Sequence, residues 1–230
     1  MPKVEPCNCR RLFLQSFFEQ VRGLNYGLLN IFRSEKELQN VYTLELVVFR
    51  EELSEWEEIC NLSPYIAQVK AADQPDGRKL SLKFTDYGTL EIRLYTALSI
   101  GGLVFEEAGK YIDDAMIDRD GIKRVSRTHN FEYHFLNSSL SGKALPHDTG
   151  LYLLSATPEE QREILQYLHS KYGISVPGFI RLINNVFLYR ESILDVIRNY
   201  PENKRKNSTS YKIPSVRGLT KTSSQNAFLW

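Results

Sequence analysis

"LSLKFTDYGTLEIRLYT", Leu80 to Thr96, decides the fold. Leu80, Leu82 and Phe84 alternate with Ser81 and Lys83. Beyond a short break, Leu90, Ile92 and Leu94 alternate with Glu91 and Arg93. Alternation with period two is the mark of a half-buried strand. Asp86-Tyr87-Gly88 predicts a three-residue hairpin loop with Gly88 at positive φ. That loop sets Phe84 opposite Leu90, Lys83 opposite Glu91, Leu82 opposite Ile92 and Leu80 opposite Leu94. Apolar residues then face apolar ones, whereas a two-residue loop mismatches every pair. Glu91 has two readings here: a catalytic carboxylate held on a sheet, or half of a surface pair with Lys83 contributing ~0.2–1 kcal/mol.

Working outward, the flanking segments predict helices and further strands. Residues 10–32 place Leu14, Phe17, Phe18, Val21 and Leu24 on one helical stripe, weakened towards its end by Gly23 and Gly27. Ser34 with Glu37 has capping-box spacing. "VYTLELVVF", Val41 to Phe49, is apolar on both faces, as a central strand is. "REELSEWEEICNL" predicts a short helix with Leu53, Trp56, Ile59 and Cys60 inward, and "YIAQVKAAD" a strand closed by the turn Gln74-Pro75-Asp76-Gly77. The stretch beyond Gly102 is expected to be helical. "HNFEYHFLNSSL" fits strand or helix. Thr157 to Gly173 is the clearest helix, with Thr157 as cap, Pro158 at the first position and Gly173 as stop. One or two helices follow. The order predicts an α+β protein: a small mixed sheet with hairpin 80–96 packed on helices over residues 1–125, a mainly helical region 126–200, and a basic tail 201–230.

Composition narrows the class. The chain has 230 residues, 42% hydrophobic and 25% charged, with 13 Tyr and 12 Phe to fill a core. No apolar run reaches the ~18–20 residues of a membrane span, and the opening residues lack the apolar stretch of a signal peptide. Cys7, Cys9 and Cys60 form no disulfide framework, which predicts a reducing, cytoplasmic or otherwise intracellular setting with free thiols, two of them near a loose terminus. The spacing of Cys7 and Cys9 is not that of a zinc site. Asp118-Arg119-Asp120-Gly121 reads as a turn without the full ligand set of a calcium loop. His129, His134, His147 and His169 read as structural.

The order from Phe32 to Thr96 resembles the minimal nucleotidyltransferase fold of the polymerase-β-like superfamily, over about 65 residues. Phe32-Arg33-Ser34 stands where that family has a Gly-Ser turn, Thr43-Leu44-Glu45 where it has Asp-x-Asp, and Glu91 where a later strand brings the third acid. The resemblance implies a scaffold on which Glu45 and Glu91 hold Mg2+ or Mn2+ for nucleotidyl or phosphoryl transfer. The sequence departs from the motif. Arg33 replaces a glycine, Thr43 replaces a carboxylate, and glutamates replace the other two acids, so the resemblance implies a scaffold that binds without cofactor or catalysis. A nuclease core built from Asp86, Glu91 and Arg93 is a further, poorer match.

Net charge is +1, but residues 201–230 carry +5 and the other 200 carry −4. Lys204, Arg205, Lys206, Tyr211, Lys212, Arg217 and Lys221 interleave cations with hydroxyls and an aromatic. That pattern suits phosphates and a stacked base. Phe228, Leu229 and Trp230 are apolar and suit docking on another protein or a second copy of the chain. The expected function is therefore that of a non-catalytic binding or interaction protein, with nucleic acid or another protein as partner and no membrane. The alternatives are a metal-dependent transferase using Glu45 and Glu91, and a structural subunit self-associating through its C-terminus.

Overall fold

The computed structural model describes residues 8–31, 37, 38, 40–142, 145, 147–201 and 203, with no account of the side chains of 147, 148, 152 and 153. The fold is α+β. Along the chain come α1 (Cys9–Gln20), β1 (Tyr26–Leu28), β2 (Thr43–Val48), α2 (Leu53–Leu62), β3 (Ile66–Gln74), β4 (Gly77–Phe84) and β5 (Thr89–Tyr95). A small hairpin, β6 (Ala97–Ile100) and β7 (Leu103–Glu107), precedes α3 (Ala108–Asp113), β8 (Met116–Ile117) and β9 (Lys123–Arg124). The helices α4 (Arg127–Ser141), α5 (His147–Leu154), α6 (Pro158–Tyr172), α7 (Phe179–Asn184) and α8 (Arg190–Arg198) complete it.

The main sheet has seven strands in the order β3-β4-β5-β2-β1-β9-β8. The doubly apolar strand β2 lies at its centre, parallel to β5 and antiparallel to β1. Alternation along each strand assigns the two faces. Leu44, Leu46 and Val48, with Leu80, Leu82, Leu90, Ile92 and Leu94, point into a core closed by α1 and α2. There Trp56 meets Tyr26 edge-on, with ring centres 5.5 Å apart, and Phe17 packs on both Phe13 and Trp56. Val47 and Leu29 point the other way, into a second core with α3, α4, α6, α7 and α8.

α1 begins where Asn8 accepts from the Arg11 N–H, and its predicted stripe is buried through Leu24. α6 carries the full capping box between Thr157 and Glu160, with Gly173 left-handed at φ 66°.

Four expectations are corrected. In the hairpin, Leu82 pairs with Leu90, Leu80 with Ile92 and Ser81 with Glu91, two residues away from the predicted register. A two-residue slip keeps every side chain on its face, so apolar matching does not exclude it. The tip decides instead. Tyr87, not Gly88, takes the positive φ of 67°, and the Phe84 N–H donates to the Gly88 carbonyl at 2.8 Å. The Asp86 carboxylate accepts from the Gly88 N–H at 3.0 Å and from the Cys9 N–H, in the first helical turn, at 2.9 Å.

Second, the stretch beyond Gly102 is not helical until Ala108. Gly101 and Gly102 take φ of 60° and 82° and turn the β6–β7 hairpin. Third, the sheet is wider than predicted, because Tyr26–Leu28, read as part of the first helix, is a strand. Fourth, Cys9 lies in a folded helix and is 4% exposed, with its thiol 3.2 Å from the Thr85 hydroxyl. Among the described residues no helix is long and apolar enough to cross a membrane.

Candidate functional site

Strands β2 and β5 run parallel, with Thr43 beside Glu91 and Glu45 beside Arg93. Their even-numbered residues fill the first core, so Glu45, Glu91, Arg93 and Tyr95 share the opposite face. Glu45 and Glu91 thus come to rest near each other on neighbouring strands. Arg93 lies between them. Its Nε donates to Glu91 Oε1 at 2.7 Å, and Nη1 lies 3.5 Å from Glu45 Oε1. Lys79 Nζ, from β4, is 3.6 Å from the other oxygen of Glu91. The hydroxyls of Tyr95 and of Tyr133, from α4, donate to Glu45 Oε1 at 3.2 and 3.4 Å. Asn30 fixes the strand beneath by accepting from the Glu45 N–H and donating to the Thr43 carbonyl at 3.1 Å.

Glu45 is 19% exposed and Arg93 46% exposed at the side chain, so the acids line a surface that is half open. Burial raises the Glu45 pKa above the usual carboxylate range; Arg93 and the two phenols oppose it without overcoming it. Arg93 is held firmly charged: burial works against its charge, but Glu91 and Tyr95 more than offset it. The arrangement is a carboxylate pair neutralised from within. The expected Lys83–Glu91 pair is not formed, because the register places Thr89 opposite Lys83. Among the described residues no group of three or more His, Cys, Asp or Glu is placed to hold a metal ion. Asp86, the acid of the nuclease reading, serves the hairpin tip and α1. The Gly-Ser equivalent at Phe32-Arg33-Ser34 lies outside the described residues, as do Lys204, Arg205, Lys206, Tyr211, Lys212, Arg217, Lys221, Phe228, Leu229 and Trp230.

A second acidic pair escaped the sequence reading. Glu132 on α4 is fully buried and Glu106 on β7 is 2% exposed. Tyr172, Tyr111 and Tyr167 donate to Glu132 at 2.5, 2.7 and 2.9 Å. Lys171 Nζ lies 2.6 Å from Glu106 and 2.7 Å from Glu132, and Lys110 and Tyr200 also reach Glu106, at 3.1 and 3.2 Å. Burial pushes Glu106 up, but the two ammonium groups bring it below the ordinary carboxylate range. The available signal was Tyr167, Lys171 and Tyr172 on one helix, polar tips where an apolar stripe continues.

His129 stacks on Tyr111 at 4.5 Å, and both His129 and His134 are depressed by burial, His134 to about 4. They sit as neutral rings in the second core. Burial pushes the Cys60 thiol up to about 12, which keeps it unreactive. Comparison of the chain with protein-family models, with curated proteins and with solved structures finds no match.

Proposed function

We propose that the chain is a non-catalytic binding or interaction protein on a nucleotidyltransferase-like scaffold, with nucleic acid as the favoured partner and another protein as the rival. The observation that supports it is the Arg93 guanidinium between Glu45 and Glu91. A divalent ion bridging two carboxylates needs their oxygens free and further oxygen ligands beside them. Here Oε1 of each glutamate already faces Arg93, Glu45 Oε1 also accepts from two phenols, and Thr43 stands where another acid is needed. The basic segment 201–230 supplies the phosphate-binding charge, and Phe228, Leu229 and Trp230 the apolar contact for a protein or a second copy.

One observation favours the enzyme alternative: Glu45 and Glu91 do share a face. Titrating the full chain with Mg2+ and Mn2+ while following the carboxyl resonances of both residues separates the readings. The expected result is no saturable shift. A saturable shift, together with a transferase activity lost in Glu45→Ala, transfers the case to metal-dependent catalysis. Nucleic-acid binding through the basic segment weakens steeply with salt, whereas docking through Phe228 and Trp230 does not. Self-association would appear as a larger mass in solution, lost in the Phe228→Ser/Trp230→Ser variant.

A further inference from the structure

At the end of the sheet where β2 and β5 begin, two tyrosines stand out of the fold. Tyr42, just before β2, is 71% exposed, and Tyr87, at the hairpin tip, is 83% exposed. Each has a cation over its ring: the Arg10 guanidinium 4.8 Å from the Tyr42 centre, and Lys83 Nζ 5.7 Å from that of Tyr87. The start of α1 ties the two together. Arg10 donates to the Val41 carbonyl at 3.3 Å, and the next residue back, Cys9, donates to Asp86. The Tyr42 carbonyl in turn accepts from Glu91 on β5, a few residues beyond the tip. Arg11 is exposed on the same first helical turn.

Tyr87 carries a further signal. Its left-handed backbone is strained for a residue with a β-carbon, and Gly88 beside it would take that conformation without strain. An exposed aromatic held in a strained backbone points to a use for the ring rather than for the turn. The acids nearby are already engaged. Both Asp86 oxygens accept backbone N–H groups, and Glu91 is offset by Arg93 and Lys79.

Exposed rings on which bases stack, interleaved with cations that meet the phosphates between them, are what single-stranded nucleic acid requires. We propose that Tyr42 and Tyr87, with Arg10, Arg11 and Lys83, form a stacking platform for single-stranded nucleic acid on the folded body. It rests on the reading of the chain as a nucleic-acid binder and adds a site that selects unpaired bases. The segment 201–230, with Tyr211 as its one aromatic among the basic residues, contributes mainly charge. A duplex keeps its bases stacked inside and offers nothing to the rings.

The test uses the full chain, a fluorescent twelve-nucleotide single strand and a duplex of the same length, with anisotropy read across a salt series. Tyr42→Ser/Tyr87→Ser is expected to weaken the single strand by about tenfold per ring, leaving duplex binding and the salt slope unchanged. Neutralising Lys204, Arg205, Lys206 and Lys212 to Gln should lower the salt slope for both probes. Ultraviolet cross-linking in the wild-type chain should place the adducts at Tyr42 and Tyr87, which guards against a folding defect in the double variant. Wild-type affinity in that variant, or adducts elsewhere, overturns the platform and leaves the nucleic-acid reading standing. Failure of the wild-type chain to bind either probe at low salt overturns both.

Discussion

The molecule holds two pairs of glutamates, and they are solved differently. Glu45 and Glu91 lie on a half-open sheet face and share one arginine; Glu106 and Glu132 lie in the second core, one 2% exposed and the other not at all. Burial alone would predict the deeper pair to be the harder to ionise. The reverse holds for the two whose shifts have a clear direction: Glu45 is raised and Glu106 lowered. Burial is the largest influence on both carboxyls, and the charge of the donors decides whether it is overcome. Glu106 has two ammonium groups and a phenol, whereas Glu45 has phenols and a guanidinium at 3.5 Å that is turned mainly towards Glu91. Glu106 is built to stay charged, and Glu45 is only quietened.

The largest test of this contrast is Lys171→Met. It removes the cation shared by Glu106 and Glu132 and leaves buried charge unpaired, so a loss of ~3–5 kcal/mol is expected in denaturant unfolding. Adding Glu132→Gln should recover part of it. A loss below about 1 kcal/mol would mean that the phenols and Lys110 carry the pair without Lys171. Tyr172→Phe comes next. It takes one of three phenol donors from a buried carboxylate, with an expected loss of about 2 kcal/mol, read from the same unfolding midpoint.

On the sheet, Arg93→Ala should cost only about 1 kcal/mol or less, because the guanidinium is nearly half exposed. It should also raise the Glu45 pKa further, as a carboxyl titration would report. The smallest effect belongs to Glu45→Gln, and its sign depends on pH. A carboxyl with a raised folded pKa stabilises the fold fully below the ordinary range and loses that contribution as pH rises through the folded value. Glu45→Gln should therefore be neutral or slightly stabilising at pH 7 and mildly destabilising near pH 3. Glu106→Gln should give the opposite trend, destabilising at pH 7 with the difference shrinking as pH falls through the depressed folded value. Parallel trends for the two variants would break the comparison.

Much of this architecture is legible in the residues themselves. The doubly apolar run at Val41–Phe49 marks the central strand, and the caps of Thr157 and Gly173 bound their helix, because both signals are local and single-valued. The shared face of Glu45 and Glu91 follows from strand parity once the strands are adjacent. Arg93 has the parity of Glu91, so its place between the acids was readable but unread. The hairpin register was not, since slips of two residues preserve parity and the choice lay with Asp86 and a helix 77 positions away. Leu103–Phe105 is too short an apolar run to separate strand from helix, and only the Gly101-Gly102 turn did so. The Glu106–Glu132 network joins β7, α3, α4 and α6, and the polar tips of Tyr167, Lys171 and Tyr172 on one helix hint at a buried acid without saying which residues supply it.

The fastening of Cys9 to Asp86 also orders events at the ribosome. At roughly 5–20 residues per second, the first helix leaves synthesis some 4–15 s ahead of the hairpin that caps it. For that interval its row of phenylalanines has no sheet to cover it, and a chaperone or a neighbouring nascent chain has time to reach it first.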